Sequence, residues 1–207
     1  MSAPTLTVWG RLNSHNVKKV VWFAEELGLS YRRIDMGGTF GFSEEYLAMN
    51  PNRLIPTIED GKVSLWESNA ILRYMAAEYG GPRWFPNDPI DRALADRWMD
   101  WQFGYADAQR DAFLSFARTA PEDRDPALIA RSIDACAQQL AVLDAQLAKT
   151  PWLSGQTFGL GDIPMGVYAH TWFALPFDKP EFAHVADWYA RIRERPGYAD
   201  NVMIPLT

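Results

Sequence analysis

Residues 50–75, NPNRLIPTIEDGKVSLWESNAILRYM, constrain the fold more than any other stretch of the chain. They read as a loop, a proline, a short strand at 57–59, a tight turn, a second short strand at 63–66, and a helix. Asp60-Gly61 between the strands is a hairpin signal, because this pair readily takes the positive-φ turn that matches strand twist. Pro56 opens the first strand, where a missing N–H removes no ladder bond. Ser68 reads as the N-cap of the apolar helical pattern that follows. A hairpin feeding a helix N-terminus makes a place for an anion, since the first helical N–H groups lack backbone partners.

The preceding residues supply the rest of one module. TLTVW at 5–9 is a strand. From 16 to 27 a helix carries Val17, Val20, Val21, Ala24 and Leu27 on one face, and Gly28 stops it. Lys18 and Lys19 then read as a solvated face of that helix. Residues 31–35 form a second strand, so the unit is βαβ, with parallel strands and a right-handed crossover. A Gly- and Phe-rich loop at 36–42 leads into a helical segment near 43–49, with Glu44 and Glu45 in its first turn. The order is βαβ–α–ββα.

Residues 79–89, YGGPRWFPNDP, read as a linker with the boundary near 83. Beyond it everything is helical. The segment 89–116 carries Leu94, Trp98, Trp101 and Tyr105. Pro126 suits the first turn of the next helix, in which Ile129, Ile133, Cys136, Leu140, Leu143 and Leu147 form one apolar stripe. Cys136 is therefore read as core. Further helices occupy 163–172 and 185–195, the last stopping at Pro196-Gly197. Two domains are expected, 1–83 and 84–207.

Composition removes several classes of function. With 48% hydrophobic and 22% charged residues the chain is an ordinary globular one. A net charge of -6 argues against a nucleic-acid partner, and no apolar run is long enough to span a bilayer. One cysteine and three histidines without ligand spacing give no disulfide framework and no expected metal site. The first residues show no charged segment followed by an apolar one, so the expected location is the cytoplasm.

NP-x(4)-P, a hairpin and ESNAI together resemble the glutathione-binding half of the glutathione S-transferase superfamily, and the pattern is most similar to its bacterial serine-type (theta/nu-like) members. The resemblance implies an α/β N-terminal thioredoxin-like domain, an all-α C-terminal helical bundle, glutathione as cosubstrate, a small hydrophobic electrophile as second substrate, and a homodimer. It implies a cis Pro56, a backbone of Ile55 that pairs with the cysteinyl part of glutathione, and Glu67 and Ser68 at the γ-glutamyl end. Ser14 matches the serine after the first strand, with a plain helix cap as its other reading, and Asn16 matches the asparagine of some bacterial members. His15 beside Ser14 suggests a hydrolytic dyad, but adjacent residues at a helix start do not face each other. One departure stands out: the usual NP-x-G pattern carries Arg53 in place of glycine and Leu54 in place of a long polar residue. Leu54 cannot hold the glycyl carboxylate; Arg53 either replaces that contact or points into water. Asp162 matches the capping motif before the central helix, with Gly159 at the cap and Phe158 and Ile163 spaced for a hydrophobic staple. Trp101 and Tyr105 are candidates for lining a substrate pocket between the domains. Three functions fit: a glutathione transferase, a glutathione-dependent disulfide reductase, or a non-catalytic binding module of the same fold.

Overall fold

The computed structural model describes residues 6–61 and 63–207; Thr5, read as part of the first strand, lies outside them. The first module runs β1 (Leu6–Trp9), α1 (His15–Glu26), β2 (Tyr31–Ile34), α2 (Glu44–Met49), β3 (Thr57–Glu59), β4 (Ser64–Trp66), α3 (Ser68–Tyr79) and α4 (Gly81–Trp84). Its sheet has the order β2-β1-β3-β4. β1 pairs parallel with β2, with Trp9 opposite Ile34, and antiparallel with β3, with Trp9 opposite Thr57. This is the βαβ–α–ββα order expected of the thioredoxin-like half.

Alternation along β1 separates two cores. Leu6 and Val8 point to one face of the sheet and are buried. Trp9 points the other way and forms a cluster with Met36 and Tyr46, against which Ile34, Phe42, Met49 and Ile55 pack. Ser43 caps α2, accepting from the Tyr46 N–H at 3.1 Å. The hairpin turn forms as read: Gly61 has φ +80, and the Asp60 N–H donates to the Val63 carbonyl at 3.2 Å. Asp60 also accepts from Tyr79 Oη at 2.9 Å and from Tyr74, which ties the hairpin to α3.

The contact pattern divides the chain into two units, one running to Asn87 and including Arg195–Ile204, the other comprising Asp88–Glu194 with Pro205–Thr207. The division therefore differs from a single cut near 83. The returning segment holds α9 (Tyr198–Asn201), and it is bound to α1 by specific contacts. Arg195 Nε donates to Glu26 Oε1 at 2.8 Å, Lys18 Nζ donates to the Val202 carbonyl at 3.0 Å, and Tyr198 meets Trp22 edge to face at 4.7 Å.

The second unit contains α5 (Pro89–Arg118), α6 (Pro126–Leu147), α7 (Asp162–Ala174) and α8 (Ala183–Arg193). Asp88 and Asp125 cap α5 and α6, each directly before a proline at the first helical position. The α6 stripe is buried at Cys136, Leu140, Leu143 and Leu147, and Ser132 bridges to α5 by accepting from the Ala112 N–H and donating to the Ala108 carbonyl. Burial pushes the Cys136 thiol up to about 12, which fits a core residue rather than a nucleophile. α7 is buried over nearly its whole circumference, as a central helix must be. Its first residue, Asp162, is fully buried and accepts from the N–H groups of Leu153, Ser154 and Gly159 and from Trp188 Nε1, at 2.8–3.3 Å. The carboxylate thus ties the 153–159 loop and α8 to the start of α7, while Gly161 rather than Gly159 holds the cap position. No helix among the described residues is long and apolar enough to cross a membrane.

Asp162→Ala should destabilise the protein by about 3–5 kcal/mol, because it leaves three buried donors and the half-buried Ser154 N–H without an acceptor. Urea denaturation followed by tryptophan fluorescence measures this; Asp162→Asn should fall between wild type and alanine.

Candidate active site

Three pieces of the first unit converge on one cleft: the start of α1, the 50–56 loop, and the junction of β4 with α3. Its lining residues are Asn16, Asn50, Asn52, Leu54, Ile55, Pro56, Trp66, Glu67 and Ser68.

The loop is held from behind by side chains. Asn50 is buried, and its Nδ2 donates to the Leu54 carbonyl at 3.0 Å and to Thr57 Oγ1 at 3.1 Å. Its Oδ1 accepts from the N–H of Asn52 at 3.1 Å and from Asn52 Nδ2 at 3.2 Å. Tyr46 Oη also donates to the Leu54 carbonyl and accepts from Thr57 Oγ1. Ile55 follows, with its side chain in the Trp9–Tyr46 cluster and its N–H and C=O bonded to no described residue. The Ile55–Pro56 bond is cis, as the NPNRLIP match implies. Gly10 is needed here: a Cβ on it would lie 2.4 Å from Val17 Cγ2 and 3.3 Å from Ile55 Cβ.

The β4–α3 junction turns within a single residue. Glu67 has φ +72, a left-handed conformation that a residue with a Cβ adopts only at a cost, and which is concentrated at functional sites. Glu67 therefore occupies the cap position of α3, and Ser68 is its first helical residue. This corrects the reading of Ser68 as the N-cap. Its hydroxyl is committed elsewhere, donating to Asn16 Oδ1 at 3.2 Å.

Ser14 sits at the cap of α1 in extended conformation and makes no side-chain capping bond. Its backbone does the structural work: its N–H donates to the Arg11 carbonyl and its carbonyl accepts from Lys18. Of the residues singled out from the sequence, Asn16, Ile55, Pro56, Glu67 and Ser68 are brought together in the cleft. Ser14 and Arg53 are not among the lining residues. Arg53 is exposed on a left-handed backbone with φ +57, and Leu54 is 61% exposed. Tyr105 is sealed in the core of the second unit, whereas Trp101 lines an apolar groove formed by α5 and α6 with Trp98 and Val142.

The largest correction concerns Lys18 and Lys19, which are buried rather than solvated. α1 is packed all round, since Val17 to Ala24 are all buried. Lys19 Nζ donates to Ser68 Oγ at 3.4 Å and to Asn69 Oδ1 at 3.3 Å. Burial lowers its ammonium to about 7, with Glu67 acting in the opposite direction. Lys18 is lowered to about 8, also by burial. The missed signal was the unbroken apolar run VVWFA directly after the two lysines, which leaves α1 no solvated face. Asn50, Asn52 and Trp66 were also missed as cleft residues, because nothing local separates them from ordinary loop and strand residues. Among the described residues no group of three or more His, Cys, Asp or Glu could hold a metal ion.

Comparison with known proteins gives two family segments: the glutathione S-transferase N-terminal domain over residues 4–77 and the C-terminal domain over 105–196. The chain is 42% identical to glutathione S-transferase GstB of Escherichia coli K12, over 98% of this chain and 100% of that one. It is 31% identical to the disulfide-bond oxidoreductase YfcG of the same organism, over 87% of each. The crystal structure of the theta class glutathione S-transferase of Xanthomonas axonopodis pv. citri with glutathione bound superposes with a TM-score of 0.94 at 48% identity, covering 99% of this chain and 100% of that one.

Lys19→Met should raise stability by roughly 1–4 kcal/mol near pH 6, since it removes a buried cation. The sign follows from linkage. Between about 7 and the ordinary 10.5 the unfolded chain holds a proton on Lys19 that the folded chain lacks, so the lysine's penalty is full below 7 and fades as pH rises. Thermal unfolding of wild type and variant from pH 6 to 10 should show the gap closing with pH.

Proposed function

The chain belongs to the glutathione S-transferase family, and on that premise we propose that it joins the thiolate of glutathione to small hydrophobic electrophiles. One observation carries the reading to residues: a single cleft holds the unpaired backbone edge of Ile55, the start of α3 with Glu67 and Ser68, and Asn16 from the start of α1.

Each end of the tripeptide has a chemical counterpart there. An extended peptide adds to the N–H and C=O of Ile55 as a strand adds to an edge. The γ-glutamyl carboxylate suits the N–H groups of the first turn of α3, and its ammonium suits Glu67. Ser68 contributes its N–H, which bonds to no described residue, in addition to a hydroxyl already directed at Asn16. Arg53 is the candidate for the glycyl carboxylate from outside the lining residues; Asn52, inside the cleft, competes with it for that role.

A free thiol of this kind has a pKa near ~8.5, so only a few per cent is thiolate at neutral pH. The catalyst must favour the anion. Ser14 serves as a donor: its hydroxyl, unused in capping α1, directs a hydrogen bond to the sulfur. The N-terminus of α1 adds positive potential, and Asn16, whose Oδ1 accepts from Ser68, keeps its amide N–H groups for the ligand. Lowering the thiol by ~2 units needs about 2.7 kcal/mol, within reach of one charge-assisted bond and a helix end together. The working unit is a homodimer in this reading, as in the sequence-based expectation.

The second reading, glutathione-dependent disulfide reduction, rests on the likeness to YfcG and on Asn16. Ser14→Ala should raise the pKa of bound glutathione by ~1–2 units and slow conjugation of a simple aryl halide about 10- to 100-fold, with affinity nearly unchanged. The thiolate ultraviolet band against pH measures the first; coincident titrations would leave Ser14 as a helix cap only. Greater loss of disulfide reduction than of conjugation in Asn16→Ala would favour the reductase.

Glu67→Ala should weaken glutathione binding by about 1.5–3 kcal/mol by calorimetry, because it removes a charged hydrogen-bond partner. Unchanged affinity would place the γ-glutamyl ammonium elsewhere.

A further inference from the structure

Conjugation as described leaves unexplained why a lysine is sealed beneath the start of α3. Lys19 is fully buried, and a buried ion can usually be replaced by an apolar side chain of similar volume without loss of stability. Its position is specific. Nζ touches Ser68 Oγ and Asn69 Oδ1, on the first two residues of α3, and Ser68 is a wall of the cleft. One hydroxyl therefore stands between the cation and the ligand space.

The hydrogen bonds also have a direction. An ammonium has three donors and no acceptor. While charged, Lys19 makes the Ser68 oxygen accept from it and send its own proton onward, to Asn16 Oδ1 at 3.2 Å. The Asn16 carbonyl is thereby occupied, and Asn16 is itself a lining residue of the cleft. A neutral amine can accept as well as donate, and then Ser68 is free to turn its proton back to Lys19.

We infer that Lys19 is a positioning residue for the ligand: its cation backs the carboxylate that docks at the start of α3 and sets the direction of the Ser68–Asn16 pair, so that binding of that carboxylate and protonation of Lys19 favour each other. The inference rests on the glutathione reading and identifies the γ-glutamyl end as the part of the ligand that is coupled to pH.

The surroundings allow this coupling. From α3 the facing side chains, Ser68 and Asn69, are neutral. Glu67 at its start favours the charged lysine, and it is the one titratable residue among those lining the cleft. On α1 itself, His15 lies one turn earlier on the same side, and Lys18 is directed to the Val202 carbonyl. Because burial brings Lys19 to about 7, a carboxylate arriving nearby changes its charge within the working pH range.

The probe is S-methylglutathione, whose blocked thiol does not titrate. Calorimetry on the full chain from pH 6 to 8 should show wild-type affinity falling about fivefold, as expected if the ligand raises the lysine by about one unit. At pH 7.5, comparison of two buffers with different ionisation enthalpies should show proton uptake on binding. Lys19→Met should bind more weakly at pH 6, lose the pH slope and the proton uptake, and remain at least as stable as wild type. Lys18→Met, which removes an equally buried lysine of the same helix, and His15→Gln should both keep the slope. A slope that persists in Lys19→Met, or that disappears in either control, overturns the inference. If Lys19→Met does not fold, wild-type proton uptake decides alone, and none measured overturns it. Absence of S-methylglutathione binding at every pH would bring down the glutathione reading as well, an outcome distinct from binding without pH coupling.

Discussion

A buried amide makes the cleft possible. A backbone edge that is to receive a ligand must be left unbonded by its own protein, yet held as firmly as a strand. Asn50 resolves this for Ile55. From the end of α2 it grips the Leu54 carbonyl on one side and Thr57 on the other, and its own oxygen closes the turn through Asn52. Tyr46 adds a second donor to the same carbonyl. With its neighbours pinned, Ile55 needs no bond of its own to keep its place, and its side chain anchors in the Trp9 cluster beneath. An aliphatic residue at position 50 would satisfy packing but leave the Leu54 carbonyl and the turn without these partners.

The two units are held by different means. The second relies on apolar stripes, with one buried carboxylate tying loop and helix ends together at Asp162. The first concentrates polar groups where α1 and α3 begin: two buried lysines, Asn16, Ser68 and Asn69, and a left-handed Glu67. Such groupings are poor contributors to stability, since each desolvated charge must recover its lost hydration from neighbours. Their presence beside the cleft, rather than spread through the unit, follows the general tendency of strained and desolvated groups to gather where ligands bind.

Much of this was legible in the residues. Hydrophobic period marked every long helix, Asp60-Gly61 marked the hairpin, and the NPNRLIP and ESNAI segments marked the cleft. What escaped notice was set by partners far away in sequence. The spacing of Val17, Val20, Val21, Ala24 and Leu27 assigns the lysines to a polar side of α1; the run VVWFA speaks against such a side, and what covers it includes the returning segment near Val202, 184 residues after Lys18. Ser68 reads as a cap because a serine before an apolar run normally is one. The left-handed turn at Glu67 moves the helix start by one residue, and a glutamate gives no local sign of taking that conformation. Tyr105 and Trp101 share one helix and similar chemistry, but Tyr105 packs against Tyr168 of α7 whereas Trp101 lines the groove between α5 and α6.

The return of residues 195–204 to the first unit has a consequence for biosynthesis. A ribosome delivers the chain from its beginning, and a contiguous N-terminal module can ordinarily fold while the remainder is still being made. Here the module lacks the acceptor for Lys18 and the partner of Glu26 until Arg195 and Val202 have emerged. During that interval α1 carries an ammonium and a carboxylate destined for burial but not yet matched. The sheet and its helices can gather earlier, but the module is completed only once its last segment arrives. Its final closure therefore waits for residues 195–204, and the integrity of the candidate cleft depends on a segment made more than 100 residues after the rest of its module.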